Sequence, residues 1–214
     1  MSRFELSTIR EEYSGNGLLD NALVENPLIQ FDAWLNEHLS HDKETPNSMV
    51  LSTVDEHGCP DSRIVLLKGL DNGNFVFYTN YYSAKGLQLK NNPHAALNFY
   101  WPELMRQVRV RGTVIRVDKK QADEYFYSRP VESQLSAIAS PQSAEIANRD
   151  ELQKAFNKAA NDYTDKKIER PEYWGGYAVV PNEIEFWQGR ESRLHDRIQY
   201  YREKDAWCHR RLAP

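Results

Sequence analysis

Ser48-Met-Val-Leu-Ser-Thr-Val-Asp-Glu-His-Gly-Cys-Pro-Asp-Ser-Arg-Ile-Val-Leu-Leu-Lys-Gly-Leu-Asp-Asn-Gly-Asn-Phe-Val-Phe-Tyr-Thr79 is the stretch that decides the fold. It holds three short runs rich in β-branched and aromatic residues: Met49–Val54, Arg63–Lys68 and Phe75–Thr79. Asp55-Glu-His-Gly58 and Asp71-Asn-Gly73 separate them. Such turn residues between short apolar runs are hairpin signals, because Gly and Asn accept the positive φ of a tight turn. The pattern predicts consecutive antiparallel strands with no helix between them.

The flanks agree with an all-antiparallel sheet. Upstream, Asn26-Pro27 reads as a helix start, and Leu28, Phe31, Leu35 and Leu39 follow at helical spacing. Residues 1–25 are polar, with a short helical pattern from Ile9 to Tyr13 and a Gly15-Asn16-Gly17 break. They read as an N-terminal arm ahead of a single domain over residues 26–214. Downstream, Ser83 opens a short helix, and two strands follow over Ala95–Trp101 and Gln107–Val117. Lys119–Lys166 is helical with breaks at Pro130 and Pro141, and Asp150–Asp165 within it reads as a surface helix. Four strands close the chain: Gly176–Val180, Ile184–Gln188, Leu194–Arg202 and Ala206–Leu212. The expected class is mainly β with peripheral helices (α+β), an antiparallel barrel.

Composition narrows the function. The 214 residues suit one substantial domain. Lys+Arg 27 against Asp+Glu 31 gives a net charge of −4, which argues against a nucleic-acid or membrane-surface partner. No apolar run reaches membrane-spanning length, the first residues lack a signal peptide's order, and Cys59 and Cys208 form no framework. The expectation is a soluble cytoplasmic protein. Gly-x-Gly-x-x-Gly, Gly-x-x-x-x-Gly-Lys and Gly-x-Ser-x-Gly are absent, and the six histidines are not spaced as metal ligands, so no metal is expected.

Cations remain. In Glu185-Phe-Trp-Gln-Gly-Arg-Glu-Ser-Arg-Leu-His-Asp-Arg197, an extended strand would turn Arg193, His195 and Arg197 to one face and Leu194 and Ile198 to the other. Arg193 and Arg197 would then stand about 13 Å apart, too far for one anion. Arg63, Lys68, Thr79, Lys85, Arg129, Ser133 and Ser143 add cations and hydroxyls of the kind that hold phosphate oxygens. Their number points to more than one anionic group. Tyr125, Arg129 and Ser133 recur every four residues, and Pro130 places them at a helix end and the following turn. Arg63 and Lys68 have opposite strand parity, so a shared cavity requires a bulge, strong twist or sites across a subunit interface.

Arg63-Ile-Val-Leu-Leu-Lys68, Phe77-Tyr-Thr-Asn80, Ser83-x-Lys85, Arg106-Gln-Val108, Ser128-Arg-Pro130, Gln142-Ser143, Trp174-Gly-Gly176, Glu185–Arg197 and the terminal Arg211-Leu-Ala-Pro214 together resemble the pyridoxine (pyridoxamine) 5′-phosphate oxidase family. The match runs through almost the whole chain in order. It implies an FMN-binding split barrel of antiparallel Greek-key type, acting as a homodimer with both subunits around each active site. By motif match, Arg63, Ile64, Val65, Leu66, Leu67 and Lys68 contact FMN, joined by Tyr78, Thr79 and Lys85. Gln107, Gln142, Ser143, Trp187 and Arg197 complete that shell, some of them from the other subunit. Lys68, Tyr125, Arg129 and Ser133 would hold the substrate phosphate. Arg193 and His195 would lie against the pyridine ring as the catalytic pair, and Arg10 and Tyr13 of the arm would close over it.

The implied activity is oxidation of pyridoxine 5′-phosphate or pyridoxamine 5′-phosphate to pyridoxal 5′-phosphate, with oxygen reduced to hydrogen peroxide, in vitamin B6 salvage. A split-barrel flavin reductase and a noncatalytic flavin or pyridoxal phosphate binder are the alternatives on the same fold. Four positions depart from the family pattern. Ala84 replaces a basic residue, and Ser136, Ile138 and Pro141 replace Gly, Trp and Lys.

Overall fold

The structure is a computed structural model that describes residues 17–20, 23–42, 44–164 and 166–214. Arg10 and Tyr13, with residues 1–16, 21 and 22 of the expected arm, lie outside the described residues. Among the described residues no helix is long and apolar enough to cross a membrane. The chain divides into two compact units. One comprises the described residues up to Met49 with Leu97–Arg111 and Asn182–Pro214; the other comprises Val50–Ala96 and Gly112–Pro181.

The strands are β1 (Ser48–Val54), β2 (Pro60–Leu66), β3 (Leu70–Asp71), β4 (Asn74–Asn80), β5 (His94–Trp101), β6 (Arg106–Arg116), β7 (Trp174–Gln188), β8 (Asp196–Glu203) and β9 (Ala206–Leu212). They are hydrogen-bonded in the order β2-β1-β5-β6-β7-β4-β3, with β8 on β7 and β9 on β8. The path is open, and strands distant in sequence lie side by side, as in a Greek key. The helices are α1 (Pro27–His41), α2 (Ala84–Asn91), α3 (Lys119–Ser128), α4 (Val131–Ala139) and α5 (Arg149–Asp162). A mainly β fold with peripheral helices is therefore borne out.

The first unit is an aromatic core. Asn26 caps α1 by accepting from the Leu28 N–H at 3.0 Å, and Pro27 takes the first turn. The buried stripe of α1 is Pro27, Phe31, Trp34 and His38, whereas Leu39 is exposed. The expected stripe was rotated because the larger rings win the interior. Trp34 meets Phe186 edge-on at 5.2 Å, and Phe31 meets Phe99 at 5.1 Å. His38 stacks on Trp101 at 5.1 Å. Tyr200 packs on Phe186 and donates its hydroxyl to the Val24 carbonyl at 2.8 Å. Edge-to-face pairs of this kind add about 0.5–1.5 kcal/mol each beyond the area they bury.

The second unit carries the Asn72-Gly73 hairpin. Asn72 and Gly73 have φ of 50° and 81° between Asp71 and Asn74, which pair across the turn. Positive φ at both central residues suits a tight hairpin, and Asn-Gly supplies it at low steric cost. β4 then pairs with β7 from Phe75↔Val179 to Asn80↔Trp174. Gly175 and Gly176 leave room beside that ladder. A Cβ on Gly175 would stand 2.2 Å from the Tyr81 hydroxyl, and one on Gly176 would stand 2.8 Å from the Tyr78 ring.

Two strand expectations are corrected. Gly176–Val180 and Ile184–Gln188 are one strand, because β7 runs unbroken through Pro181 and Asn182. The strand expected from Leu194 starts only at Asp196. Ser192 and Arg193 have φ of 56° and 60°, in the left-handed region, and Glu191–Arg193 form a 3-10 turn. Arg193, His195 and Arg197 therefore do not alternate along one strand, and the 13 Å spacing does not apply. Leu194 is 70% exposed rather than packed.

Candidate functional site

The second unit holds a cavity of about 850 Å³. Arg63, Ile64, Val65, Leu66 and Lys68 reach it from β2 and the loop beyond, Tyr78 and Thr79 from β4, and Lys85 from α2. Tyr125 comes from α3, Arg129 caps that helix, Ser133 lies in the first turn of α4, and Gln142 and Ser143 follow α4. The parity conflict between Arg63 and Lys68 disappears because β2 ends at Leu66. Gly69, with φ of 140°, turns the chain beyond it, while the Lys68 N–H donates to the Val76 carbonyl at 2.8 Å. Leu67, the remaining residue of that motif, is 5% exposed and is not in the lining.

Lys85 and Arg63 form one cationic group. Ser83 caps α2, donates its hydroxyl to the Asn80 carbonyl at 2.7 Å and accepts from Lys85 Nζ at 3.1 Å. Lys85 is buried, and two of its three N–H donors have no partner among the described residues. Burial pushes its pKa below the ordinary lysine value; Arg63 adds to that shift and Asp61 opposes it. Arg63 Nη1 donates to Thr53 Oγ1 at 2.6 Å and to the Leu51 carbonyl at 3.3 Å. Its Nη2 donates to Asp61 and, at 3.1 Å, to Gln88 Oε1.

Arg129, Lys68 and Ser133 form the second group. The Arg129 guanidinium lies 4.5 Å above the Trp174 ring, and burial lowers its pKa. Its Nη1 is buried with no hydrogen-bond partner. A buried guanidinium N–H without an acceptor is costly unless a ligand supplies one. Lys68 Nζ lies 5.9 Å above the Tyr125 ring. Tyr125 stacks on Tyr78 at 3.8 Å and on Trp174 at 6.1 Å with only 5° between planes. Burial, with Tyr125 next, pushes the Tyr78 pKa up to about 12, so its phenol stays protonated. On the far side, Gln142 Oε1 accepts from Thr79 Oγ1 at 3.0 Å and from the Asn80 N–H at 3.3 Å. Ser143 is held at φ 72°.

The other expected residues lie in the first unit and do not line this cavity: Gln107 on β6, Trp187 on β7, and Arg193, His195 and Arg197 at or before β8. The Trp187 and His195 rings are 4.7 Å apart. His195 Nδ1 accepts the Arg190 N–H at 3.1 Å, which leaves the proton of the neutral ring on Nε2. Burial, then the Arg193 charge, lowers the His195 pKa. Arg197 donates from Nε to the buried Glu185 at 2.9 Å and from Nη1 to the Ala213 carbonyl at 2.9 Å. Arg109 shares the same carboxylate at 3.3 Å.

Trp174 is the largest of the cavity residues to which the sequence assigns no role, although it opens the Trp-Gly-Gly motif. The Thr53, Asp61 and Gln88 contacts to Arg63 carry no motif at all. Of the departures, Ser136 lines the cationic cavity. Ala84, Ile138 and Pro141 line a neighbouring apolar cavity of about 820 Å³ in the same unit. Among the described residues no acidic, histidine or cysteine cluster could hold a metal ion.

Comparison with known proteins bears on this arrangement. Residues 35–161 match a family model described as pyridoxamine 5′-phosphate oxidase. Residues 174–214 match one described as the pyridoxine 5′-phosphate oxidase C-terminal dimerisation region. The pyridoxine/pyridoxamine 5′-phosphate oxidase of Legionella pneumophila (strain Lens) is 56% identical, with 100% of each chain covered. The Synechocystis protein of the same name is 47% identical, also over 100% of each. Among solved structures, PhzG from Burkholderia lata 383, in complex with tetrahydrophenazine-1-carboxylic acid, superposes with a TM-score of 0.87 at 26% identity, covering 94% of this chain and 100% of that one. A pyridoxamine 5′-phosphate oxidase-related, FMN binding protein from Nostoc punctiforme gives 0.71 at 18% identity, with coverage of 90% and 99%, and supports the split-barrel fold.

Proposed function

The chain belongs to the pyridoxamine 5′-phosphate oxidase family, and from that premise we propose that it oxidises pyridoxine 5′-phosphate or pyridoxamine 5′-phosphate to pyridoxal 5′-phosphate using FMN. The observation that carries this reading is one cavity with two separately built cation groups. A single phosphate needs only one of them. FMN and a phosphorylated substrate bring two.

The residues fit the cofactor. Lys85 keeps unpartnered N–H donors in a buried position, as a flavin phosphate requires, and Thr79, Gln142 and Ser143 supply polar edges near it. Arg129, Lys68 and Ser133 take the substrate phosphate, with Tyr125 beside them. The chemistry FMN supplies when bound is acceptance of a hydride from the substrate's 4′ carbon, with oxygen as the final acceptor and hydrogen peroxide as product. The protein's part is binding, orientation and charge. Arg193 and neutral His195 orient the pyridine ring, and Arg193 offsets its negative charge. Gln107, Trp187 and Arg197 complete the FMN shell, and Arg10 and Tyr13 of the arm close over the substrate. The match to the dimerisation-region family supports a homodimer; within it, both subunits contribute to each site. The activity serves vitamin B6 salvage in the cytoplasm.

The test is spectroscopic. The purified protein should be yellow and release FMN on denaturation. Pyridoxamine 5′-phosphate added without oxygen should bleach the flavin band, and admitting oxygen should restore it with release of hydrogen peroxide. A flavin band that survives the substrate removes the oxidase assignment.

A further inference from the structure

One side of α2 carries both Lys85 and Gln88, spaced so that their side chains share a face. Lys85 enters the cavity directly. Gln88 instead holds Arg63. Its Oε1 accepts from Arg63 Nη2 at 3.1 Å and from the Thr53 hydroxyl, and its Nε2 donates to Asp61 Oδ2 at 3.2 Å. The amide has one workable orientation, because Arg63 can only donate and the Asp61 carboxylate can only accept. Thr53, 1% exposed, donates its hydroxyl to Gln88 Oε1 and accepts from Arg63 Nη1 in return.

Four N–H donors of Arg63 are thus engaged on the side of Thr53, Leu51, Asp61 and Gln88. Only one of those partners, Asp61, is anionic. It is about half exposed, so solvent weakens its hold on the arginine's charge. The network therefore fixes the guanidinium mainly with neutral acceptors, so one half-exposed carboxylate is all that offsets its charge beside the cavity it lines. The effect on Lys85, whose pKa Arg63 helps to lower, is consistent with that field.

We propose that Gln88 is a positioning residue for the flavin phosphate: its neutral amide locks Arg63 in place without cancelling the positive charge that attracts the phosphate. This rests on the reading that Arg63 and Lys85 face the FMN phosphate. A glutamate at position 88 would make the same contact to Arg63 while setting a second carboxylate against Asp61.

The experiment compares FMN with riboflavin, which lacks the phosphate, by quenching of flavin fluorescence in the full-length protein. Gln88→Leu should weaken FMN about tenfold, the scale of one hydrogen bond to a charged group. Gln88→Glu should weaken it further and most at low salt, while riboflavin affinity stays unchanged in both. The exchanged pair Asp61→Asn with Gln88→Glu restores the charge count and keeps one amide-to-carboxylate hydrogen bond, now donated from position 61 to position 88, and should recover most of the FMN affinity. Should Gln88→Leu fail to fold, the isosteric Glu variant and the exchanged pair carry the test. An unchanged FMN-to-riboflavin ratio in the Gln88 variants overturns the inference, as does an equal loss for both flavins. If the unsubstituted protein binds riboflavin as tightly as FMN, the phosphate reading of Arg63 and Lys85 fails first and this inference with it.

Discussion

The cations of the cavity and those of the 185–211 region are of the same residue types but are used differently. In the cavity, Lys85, Lys68 and Arg129 make no ion pair among the described residues, Arg63 pairs only with the half-exposed Asp61, and Arg129 keeps a buried N–H without an acceptor. Around β7 and β8 the arginines are matched to carboxylates: Arg197 and Arg109 share Glu185, while Arg190 and Arg211 share Asp196. Arg202 and Arg210 instead donate to the Asp205 carbonyl and to Gln199, and Arg193 is exposed on its left-handed turn with no carboxylate partner among the described residues. The difference separates cations kept for a ligand alone from cations that also hold the protein together.

The comparison breaks most readily at Arg129. Arg129→Met should cut kcat/KM for pyridoxamine 5′-phosphate about a hundredfold, the upper range for one charged hydrogen-bonding group, and leave FMN affinity intact. Loss of FMN binding to the same degree would show that the two cation groups are not separate. Lys85→Met should weaken FMN about tenfold or more in a fluorescence titration. In the unsubstituted protein, FMN affinity should hold while Lys85 is protonated and fall as pH rises through its lowered pKa, at a pH below the ordinary 10.5. An affinity flat up to that pH would remove Lys85 from the phosphate site.

The second region is sharpened by its two unlike arginines. Arg193→Ala should lower substrate oxidation about tenfold at saturating FMN, with the melting temperature unchanged. Arg197→Ala should weaken FMN and also destabilise the fold, since Glu185 loses one of its partners. A cost of about 1–2 kcal/mol is reasonable for this partly exposed pair, or about 2–4 °C of melting temperature per kcal/mol. A melting loss confined to Arg193→Ala would reverse the assignment.

The smallest effect is at His195. Its folded pKa is lowered, first by burial and then by Arg193, so the fold favours the neutral ring. The stability it contributes is present above its unfolded value, near 6.5, and is lost as pH falls through the folded one. An NMR titration should place its midpoint below 6.5, and Arg193→Ala should raise that midpoint only part of the way. A midpoint above 6.5 would contradict the burial.

How much of this could be read from the chain depends on the range of the signal. The Asn72-Gly73 turn, the Asn26 and Ser83 caps and the Pro130 break are local, and each acts where its residue type implies. Lys68 joined Arg63 only because Gly69 reverses the backbone, and Arg193 left the expected strand because Ser192 and Arg193 turn left-handed without a glycine to announce it. The pairing of Arg197 with Glu185 joins neighbouring strands, and Thr53, Gln88 and Asp61 meet at Arg63 from separate elements. No spacing rule reaches such contacts. The family motifs identified which residues matter, but not which of them already have partners.

The stack of Tyr78, Tyr125 and Trp174 beneath Arg129 and Lys68 has a consequence for the entropy of binding. A rotamer-rich side chain immobilised by a ligand costs about 0.5–1.5 kcal/mol of association free energy. Here the rings are wedged against one another, and the arginine lies flat on one of them before any ligand arrives. Much of the ordering has therefore been done during folding. A phosphate entering the cavity meets a charge already in place, so more of the attraction it gains remains as affinity.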